Sequence, residues 1–414
     1  MKVFKFGGAS VKNATSIINV AKILKSEVKK DILVVISAMG KMTNALEEVI
    51  DLYLKEDKAY LNSLDVIVNY HLEVMQELFE ADHSVFEEIM NLVSQLKAFF
   101  VTNTHSDYNY IYDQTVSYGE LFSTRIVSAY LTEIGVANTW LDARQLIHTD
   151  ANFRNARVDW KKSKRQILEN VTSGKIYLTQ GFIAASDKET TTLGREGSDY
   201  TAAILAHSLD AESVTIWKDV QGVLNADPRY FDTTILLEQI SYSEALEMAF
   251  YGASVIHPKT IKPLENKRIP LFVKSFINPK LQGTIVKKGL AVVPRVPIYT
   301  LKEHQILISI AAKDFSFMIE HNISQIFSLF SKYKISVNLI QNSAISFSVC
   351  VDDLYENFEL LFDELVASYT VTYNKGLRLL SIRYFDTASI DEIKKTNTIL
   401  LVQESRSTMQ FVMQ

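Results

Sequence analysis

Residues 32–36 read Ile-Leu-Val-Val-Ile, five apolar side chains in succession. A strand with one face in water alternates apolar and polar residues, so an unbroken run this short belongs to a strand covered on both faces. Such strands occur in parallel sheets layered between helices, and the surrounding sequence repeats that arrangement. Lys2–Phe6 is a strand ending in Gly7-Gly8, after which Ile17, Val20, Ala21, Leu24 and Val28 recur at helical spacing. A loop at 38–42 leads to a second helix with Leu46, Val49, Ile50 and Tyr53 on one face. Further strands are expected at Ile176–Gln180, Val214–Trp217 and Leu271–Phe276, and residues 60–100 form a helical elaboration. The alternation predicts an α/β fold, a parallel-rich sheet sandwiched by helices.

Chain punctuation divides the molecule. All seven prolines fall between Pro228 and Pro297, and of fourteen glycines only Gly376 lies beyond Gly289. Residues 1–290 therefore form one loop-rich unit and 298–414 a second, smaller one, with the joint at Pro294-Arg295-Val296-Pro297. The second unit carries an internal repeat. Leu307-Ile308-Ser309-Ile310 is matched by Leu379-Leu380-Ser381-Ile382, and Leu339–Ser343 by Leu401–Ser405. Each copy runs strand, helix, strand, strand. The first adds a helix near Leu354–Ala367 and a strand near Tyr369–Tyr373, whereas the second stops at Gln414 without that helix.

Composition excludes several classes. A net charge of −5 provides no global basic field for nucleic acid or anionic lipid. The single cysteine, Cys350, rules out an internal disulfide framework and a multi-cysteine zinc site. Met1–Phe6 lacks the apolar core of a signal peptide, and no stretch approaches the roughly 18 apolar residues of a membrane helix. A protein of a reducing, cytoplasmic compartment is expected.

The chemistry-bearing motifs cluster in the first unit. In Lys5-Phe6-Gly7-Gly8-Ala9-Ser10 a strand ends in two glycines. Bare backbone can approach phosphate oxygens there, with a lysine beside it as a point charge; an ordinary strand-to-helix turn has the same form. Gly194-Arg195-Glu196-Gly197-Ser198-Asp199 precedes a helix over Tyr200–Leu209, so Ser198 or Asp199 can cap it, and Arg195 offers a fork for a carboxylate or phosphate. Val214–Trp217 ends in Lys218-Asp219, followed by Asp227-Pro228-Arg229, where open α/β sheets bind ligands. Tyr118-Gly119-Glu120 opens an amphipathic helix, with Glu120 in its first turn. Ser37, Thr43 and Asn44 flank the loop after the second strand. His71, His83 and His105 lack metal-ligand spacing and are expected on helix faces, and Trp160–Arg165 reads as a solvated helix surface.

Taken in order, Lys5–Ser10, Ser37–Asn44, Gly119-Glu120, Thr192–Ala202 (TLGREGSDYTA), Trp217–Arg229 (WKDVQGVLNADPR) and Gly252–Pro258 (GASVIHP) resemble the aspartate kinases of the amino-acid kinase family. The second unit is similar to their paired, nested ACT regulatory modules, which implies that an early strand near Ile298–Leu301 joins the later copy. The resemblance implies transfer of the γ-phosphoryl of MgATP to the β-carboxylate of L-aspartate, a first step towards lysine, threonine and methionine. It implies that Lys5 stabilises the transferring phosphoryl group and that Asp199 orients Lys5. Glu120 would hold the substrate ammonium and Arg195 a substrate carboxylate, with Ser37, Thr43 and Ser198 completing the site. Gly7, Gly8, Lys218, Asp219, Asp227 and Arg229 would border the nucleotide. ATP and Mg2+ are the expected cofactors, with the metal carried by ATP and not by a protein site. An amino-acid effector at the ACT-like region and a homodimer are the expected partners.

The sequence departs from that pattern in places. Ala9 stands where threonine is usual, Lys218 where threonine or serine is, and Leu224 replaces an aromatic. Ser254 takes the place of a nucleotide-binding lysine. Asn338 replaces an aspartate common in lysine-sensitive relatives and Ala344 a glutamate, so weak feedback by lysine is expected. Two alternatives stand beside this reading: a family member acting on another acid, such as glutamate or acetylglutamate, and a non-catalytic amino-acid sensor.

Overall fold

Among the described residues, ten strands and ten α-helices build the first part of the chain. The strands are β1 (Lys2–Phe6), β2 (Ile32–Ile36), β3 (Thr139–Leu141), β4 (Ile176–Gln180), β5 (Ile183–Ala185), β6 (Thr190–Thr192), β7 (Ser213–Lys218), β8 (Gln239–Ile240), β9 (Leu271–Ser275) and β10 (Thr284–Val286). The helices are α1 (Ala14–Ser26), α2 (Met42–Leu54), α3 (Ala59–Leu78), α4 (Val85–Thr102), α5 (Tyr108–Glu133), α6 (Ala143–Leu146), α7 (Trp160–Asn170), α8 (Gly197–Ser208), α9 (Tyr242–Tyr251) and α10 (Pro258–Lys267). The computed structural model describes all of the chain except residues 28–30, 254–255 and 315, so Val28 and Ser254 lie outside the described residues.

Eight strands form one sheet in the order β3-β4-β2-β1-β7-β9-β10-β8. From β3 to β9 every pairing is parallel; β10 turns back against β9, and β8 runs parallel to β10. All five residues of β2 are buried, as an apolar run covered on both faces requires. On one side Phe4, Phe6, Ile32, Val34 and Ile36 share a core with Ile17, Val20 and Leu24 of α1 and with residues of α3, α4 and α5. The helical elaboration has its own core, in which Leu46, Val49 and Ile50 meet Leu64, Ile67, Leu96, Phe100, Ile111 and Val116. Each such buried side chain contributes roughly 1.5–3 kcal/mol. Together they hold α5, the helix that carries Glu120.

Three local expectations change. Glu120 does not open a helix: it lies in the interior of the 26-residue α5, too far from the N-terminus for the helix dipole to matter. Helix α8 starts at Gly197, so Ser198 and Asp199 sit inside its first turn and Glu196 occupies the cap in a left-handed conformation (φ 52°). Of His71, His83 and His105 only His71 is on a helix, fully buried, with Nδ1 2.8 Å from the Ile67 carbonyl oxygen and a pKa lowered to about 4 by burial. His83 and His105 lie in loops.

The second compact unit takes Val293–Gln414 together with Leu224–Ile235 and a segment beginning at Glu247, two stretches that the proline and glycine pattern had assigned to the first. Its strands are β11 (Ile298–Ala312), β12 (Ser336–Asn342), β13 (Ser346–Asp352), β14 (Tyr369–Arg383), β15 (Ile399–Glu404) and β16 (Thr408–Met413); its helices are α11 (Glu320–Lys332), α12 (Phe358–Ser368) and α13 (Thr387–Thr396). One antiparallel sheet runs β12-β13-β11-β14-β16-β15. The repeat is structural. Leu307–Ile310 and Leu379–Ile382 lie in the two long central strands, and the echoed serines make the same turn: Ser343 N–H donates to Ser346 O and Ser405 N–H to Thr408 O, each at 2.8 Å. Ile298–Lys302 pairs with Leu379–Arg383, so the early strand belongs to the later copy. The two copies meet where β11 loses register between Lys302 and Leu307, at His304 (φ 56°).

Candidate active site

Parallel pairing sets the site. Phe6 is in register with Ile36 on one side and Trp217 on the other, so Lys5, Ser37 and Lys218 emerge at one edge of the sheet. The N-terminus of α8 and one face of α5 close over that edge. Between them lies a cavity of about 520 Å3. Lys5, Gly8, Ser37, Thr43, Glu120, Arg195, Ser198, Asp199 and Lys218 all line it.

Asp199 sits on the cavity floor, 2% exposed. Its Oδ1 is 2.7 Å from Lys5 Nζ and its Oδ2 4.0 Å from Lys218 Nζ. One carboxylate thus spans two ammonium groups, both largely shielded from solvent. A buried carboxylate is stable when paired, and here it in turn holds two cations toward the open space. Glu196 borders the same group; burial raises its pKa while Lys218 pulls it back down.

Glu120 faces the cavity from α5 and is 2% exposed. The Ala38 N–H donates to its Oε1 at 3.3 Å, and Oε2 has no hydrogen-bond partner among the described residues. Burial pushes its pKa up to about 8, against the downward pull of the backbone N–H groups of Ala38 and of Glu120 itself. A buried acid with an idle oxygen, on the wall of a cavity, is prepared for a cationic group.

The glycines serve packing as much as ligand access. A Cβ on Gly8 would lie 2.6 Å from Gly40 O and 2.8 Å from Ala38 O, so the loop after β2 rests directly on this turn. Gly7 is not among the cavity-lining residues, although a Cβ there would come within 3.3 Å of Lys5 Nζ. Asp219 points to solvent and does not line the cavity. Asp227 and Arg229 belong to the second unit, where they pair with each other through two parallel hydrogen bonds, Nε–Oδ1 at 3.1 Å and Nη2–Oδ2 at 2.6 Å.

Residues 1–275 match the model of the amino acid kinase family. Lysine-sensitive aspartokinase 3 of Escherichia coli is 32% identical over 394 residues, which covers 92% of this chain and 86% of that protein. The chain belongs to the aspartokinases of the amino acid kinase family. A bifunctional aspartokinase/homoserine dehydrogenase of Arabidopsis thaliana is 33% identical over 294 residues, 69% of this chain; the match spans 32% of that longer protein. Escherichia coli aspartokinase III, solved with aspartate and ADP, superposes with a TM-score of 0.84 at 28% identity, over 100% of this chain and 96% of its own. The same enzyme solved with lysine and aspartate gives a TM-score of 0.80 at 29% identity, over 100% and 95% of the two chains.

Sequence reasoning missed, among the larger side chains of the wall, Tyr112, Arg154, Phe182 and Glu196. Tyr112 lies two turns before Glu120 on α5 and is legible once that helix is extended back to Tyr108. Glu196 is inside the Gly194–Asp199 motif but was not singled out. Phe182 and Arg154 come from loops, and no periodicity marks them.

Proposed function

We propose that the chain transfers the γ-phosphoryl group of MgATP to the β-carboxylate of L-aspartate, giving ADP and 4-phospho-L-aspartate. The observation that carries this is the Lys5–Asp199–Lys218 arrangement at one end of a cavity whose wall bears buried Glu120. The two ends suit different parts of such a reaction. Glu120, once ionised, holds the substrate ammonium, and Arg195 clamps the α-carboxylate with its planar fork. Ser37, Thr43 and Ser198 offer hydroxyls between these ends. The β-carboxylate is then directed at Lys5, whose ammonium neutralises charge on the transferring phosphoryl, while Asp199 keeps Lys5 in place. Lys218 and Gly8 border the phosphates. No covalent intermediate on the protein is involved.

Among the described residues no group of three or more His, Cys, Asp or Glu side chains could hold a metal, and Asp199 is already engaged by lysine. Mg2+ would enter with the nucleotide and neutralise phosphate charge there, beside Lys5 and Lys218.

The second unit, in this reading, binds an amino-acid effector and joins two copies of the chain. Exposed Ile340, Leu400 and Val402 on edge strands β12 and β15 support a covered face. Among the described residues no helix is long and apolar enough to cross a membrane, and the proposed place of action is the cytoplasm.

The deciding experiment supplies MgATP and L-aspartate and traps acyl phosphate with hydroxylamine. Aspartyl hydroxamate is expected. ADP formation only with glutamate or acetylglutamate would transfer the reading to another acid, and aspartate binding without turnover would make the chain a sensor.

A further inference from the structure

Arg154 stands out among the cavity residues because its backbone is left-handed, φ 64°, a conformation suited to glycine and strained for a long side chain. The strain is held by a buried anchor. The Arg154 N–H donates to both oxygens of Asp113, at 3.1 and 3.0 Å. Asp113 is fully buried and also accepts from the Thr192 N–H at 2.8 Å and its hydroxyl at 2.7 Å. The side chain is held as well: the guanidinium carbon is 4.4 Å from the ring centre of Tyr112 and 5.2 Å from that of Tyr108. Stacking alone would not require left-handed backbone. What the backbone achieves is placement of Arg154 at the cavity wall, with its guanidinium over Tyr112, another residue of that wall.

Arg195 is its neighbour. A Cβ on Gly194 would lie 3.1 Å from Arg154 O and 3.2 Å from Asn155 Oδ1, so the segment bearing Arg195 packs on the loop bearing Arg154. Among the described residues neither guanidinium has an ion-pair partner. We infer that Arg154 is a second carboxylate-binding guanidinium, which shares the non-reacting carboxylate of the acceptor with Arg195 and selects for amino dicarboxylates. This rests on the proposed aspartate kinase reading and adds a specificity residue to it.

The test exploits the backbone. Arg154→Gly removes the guanidinium and relieves the left-handed strain, so its Tm should be no lower than that of the parent. Its KM for aspartate should rise on the order of 10- to 100-fold while KM for ATP stays within about twofold. Arg154→Lys, which keeps the charge without the fork, should recover little. Calorimetry then isolates the group recognised. Succinate keeps both carboxylates and should lose affinity by the same factor as aspartate, whereas β-alanine, which lacks the α-carboxylate, should bind parent and Arg154→Gly alike. Unchanged aspartate affinity in Arg154→Gly, an equal loss for β-alanine, or no parent binding of either dicarboxylate overturns the inference. If the parent makes no hydroxamate from aspartate, the kinase reading fails, and the succinate comparison still decides Arg154.

Discussion

Aspartate binding should strengthen as pH rises towards 8, and Glu120→Gln should remove the dependence. In the empty cavity burial sets the Glu120 pKa at about 8 against an ordinary 4.5, so at neutral pH the carboxyl is mainly protonated. A substrate ammonium pairs with the ionised form. At pH 7 about one molecule in ten carries that form, so the apparent Kd is roughly tenfold above its high-pH plateau, and at pH 6 about a hundredfold. Isothermal titration in buffers of different ionisation enthalpy measures the linkage directly: close to one proton should leave per aspartate bound at pH 7, and almost none above pH 9. Stability carries the same signature with a definite sign. A carboxyl whose folded pKa exceeds its unfolded value costs nothing below pH 4.5, and destabilises the fold progressively as pH rises from 4.5 to 8. Asp113, raised by burial to about 6, acts in the same direction but only up to that pH. Between pH 6 and 8 Glu120 contributes a loss of Tm, which should be absent in Glu120→Gln when the two proteins are compared at each pH. A pH-independent Kd, with no buffer-dependent heat, would falsify this account of the ammonium subsite.

Other expectations follow from the same geometry. Lys5→Ala should fold normally and lose on the order of 10²-fold or more in kcat; near-normal turnover would remove Lys5 from the chemistry. Lys218 lies 4.0 Å from Asp199. A phosphate charge held roughly 4 Å from its ammonium would be worth about 4 kcal/mol at an effective dielectric of 20 before desolvation, so Lys218→Thr should cost a net 1–2 kcal/mol, seen as about a 5- to 30-fold rise in KM for ATP with aspartate unaffected. Gly8→Ala drives a methyl into the Gly40 and Ala38 carbonyls and should lower stability by roughly 1–3 kcal/mol, read as a fall in Tm; parental Tm would contradict the close approach. Asn338 is occupied by the chain's own groups, accepting from Lys302 Nζ at 2.7 Å and donating to Asp352 and Gln305 at 2.8 Å each. Micromolar lysine should therefore leave activity unchanged, and half-inhibition at that level would show the network to be displaceable.

The apolar run 32–36, the glycine turn after Lys5 and the order of the later motifs were enough to read the sheet, the family and most of the cavity's polar residues. These features are local. A strand covered on both faces must be apolar throughout, and a turn beneath another loop must lack a Cβ, whatever lies elsewhere in the chain. The repeat in the second unit was legible for a similar reason, since two copies of one supersecondary unit share the same side-chain period. Glu120 does line the cavity, but its place in the helix was misread. Gly119 suggested a helix start, whereas burial on all sides let α5 run through it, and that interior position is what raises the carboxyl's pKa. The second reach of Asp199, to Lys218, the left-handed turn that carries Arg154 and the assignment of residues 224–235 to the second unit had no sequence signal. Each depends on which distant segments meet. Such meetings are decided by the summed packing of the core around strands β1, β2 and β7 and helices α5 and α8, and no single stretch of sequence carries that sum.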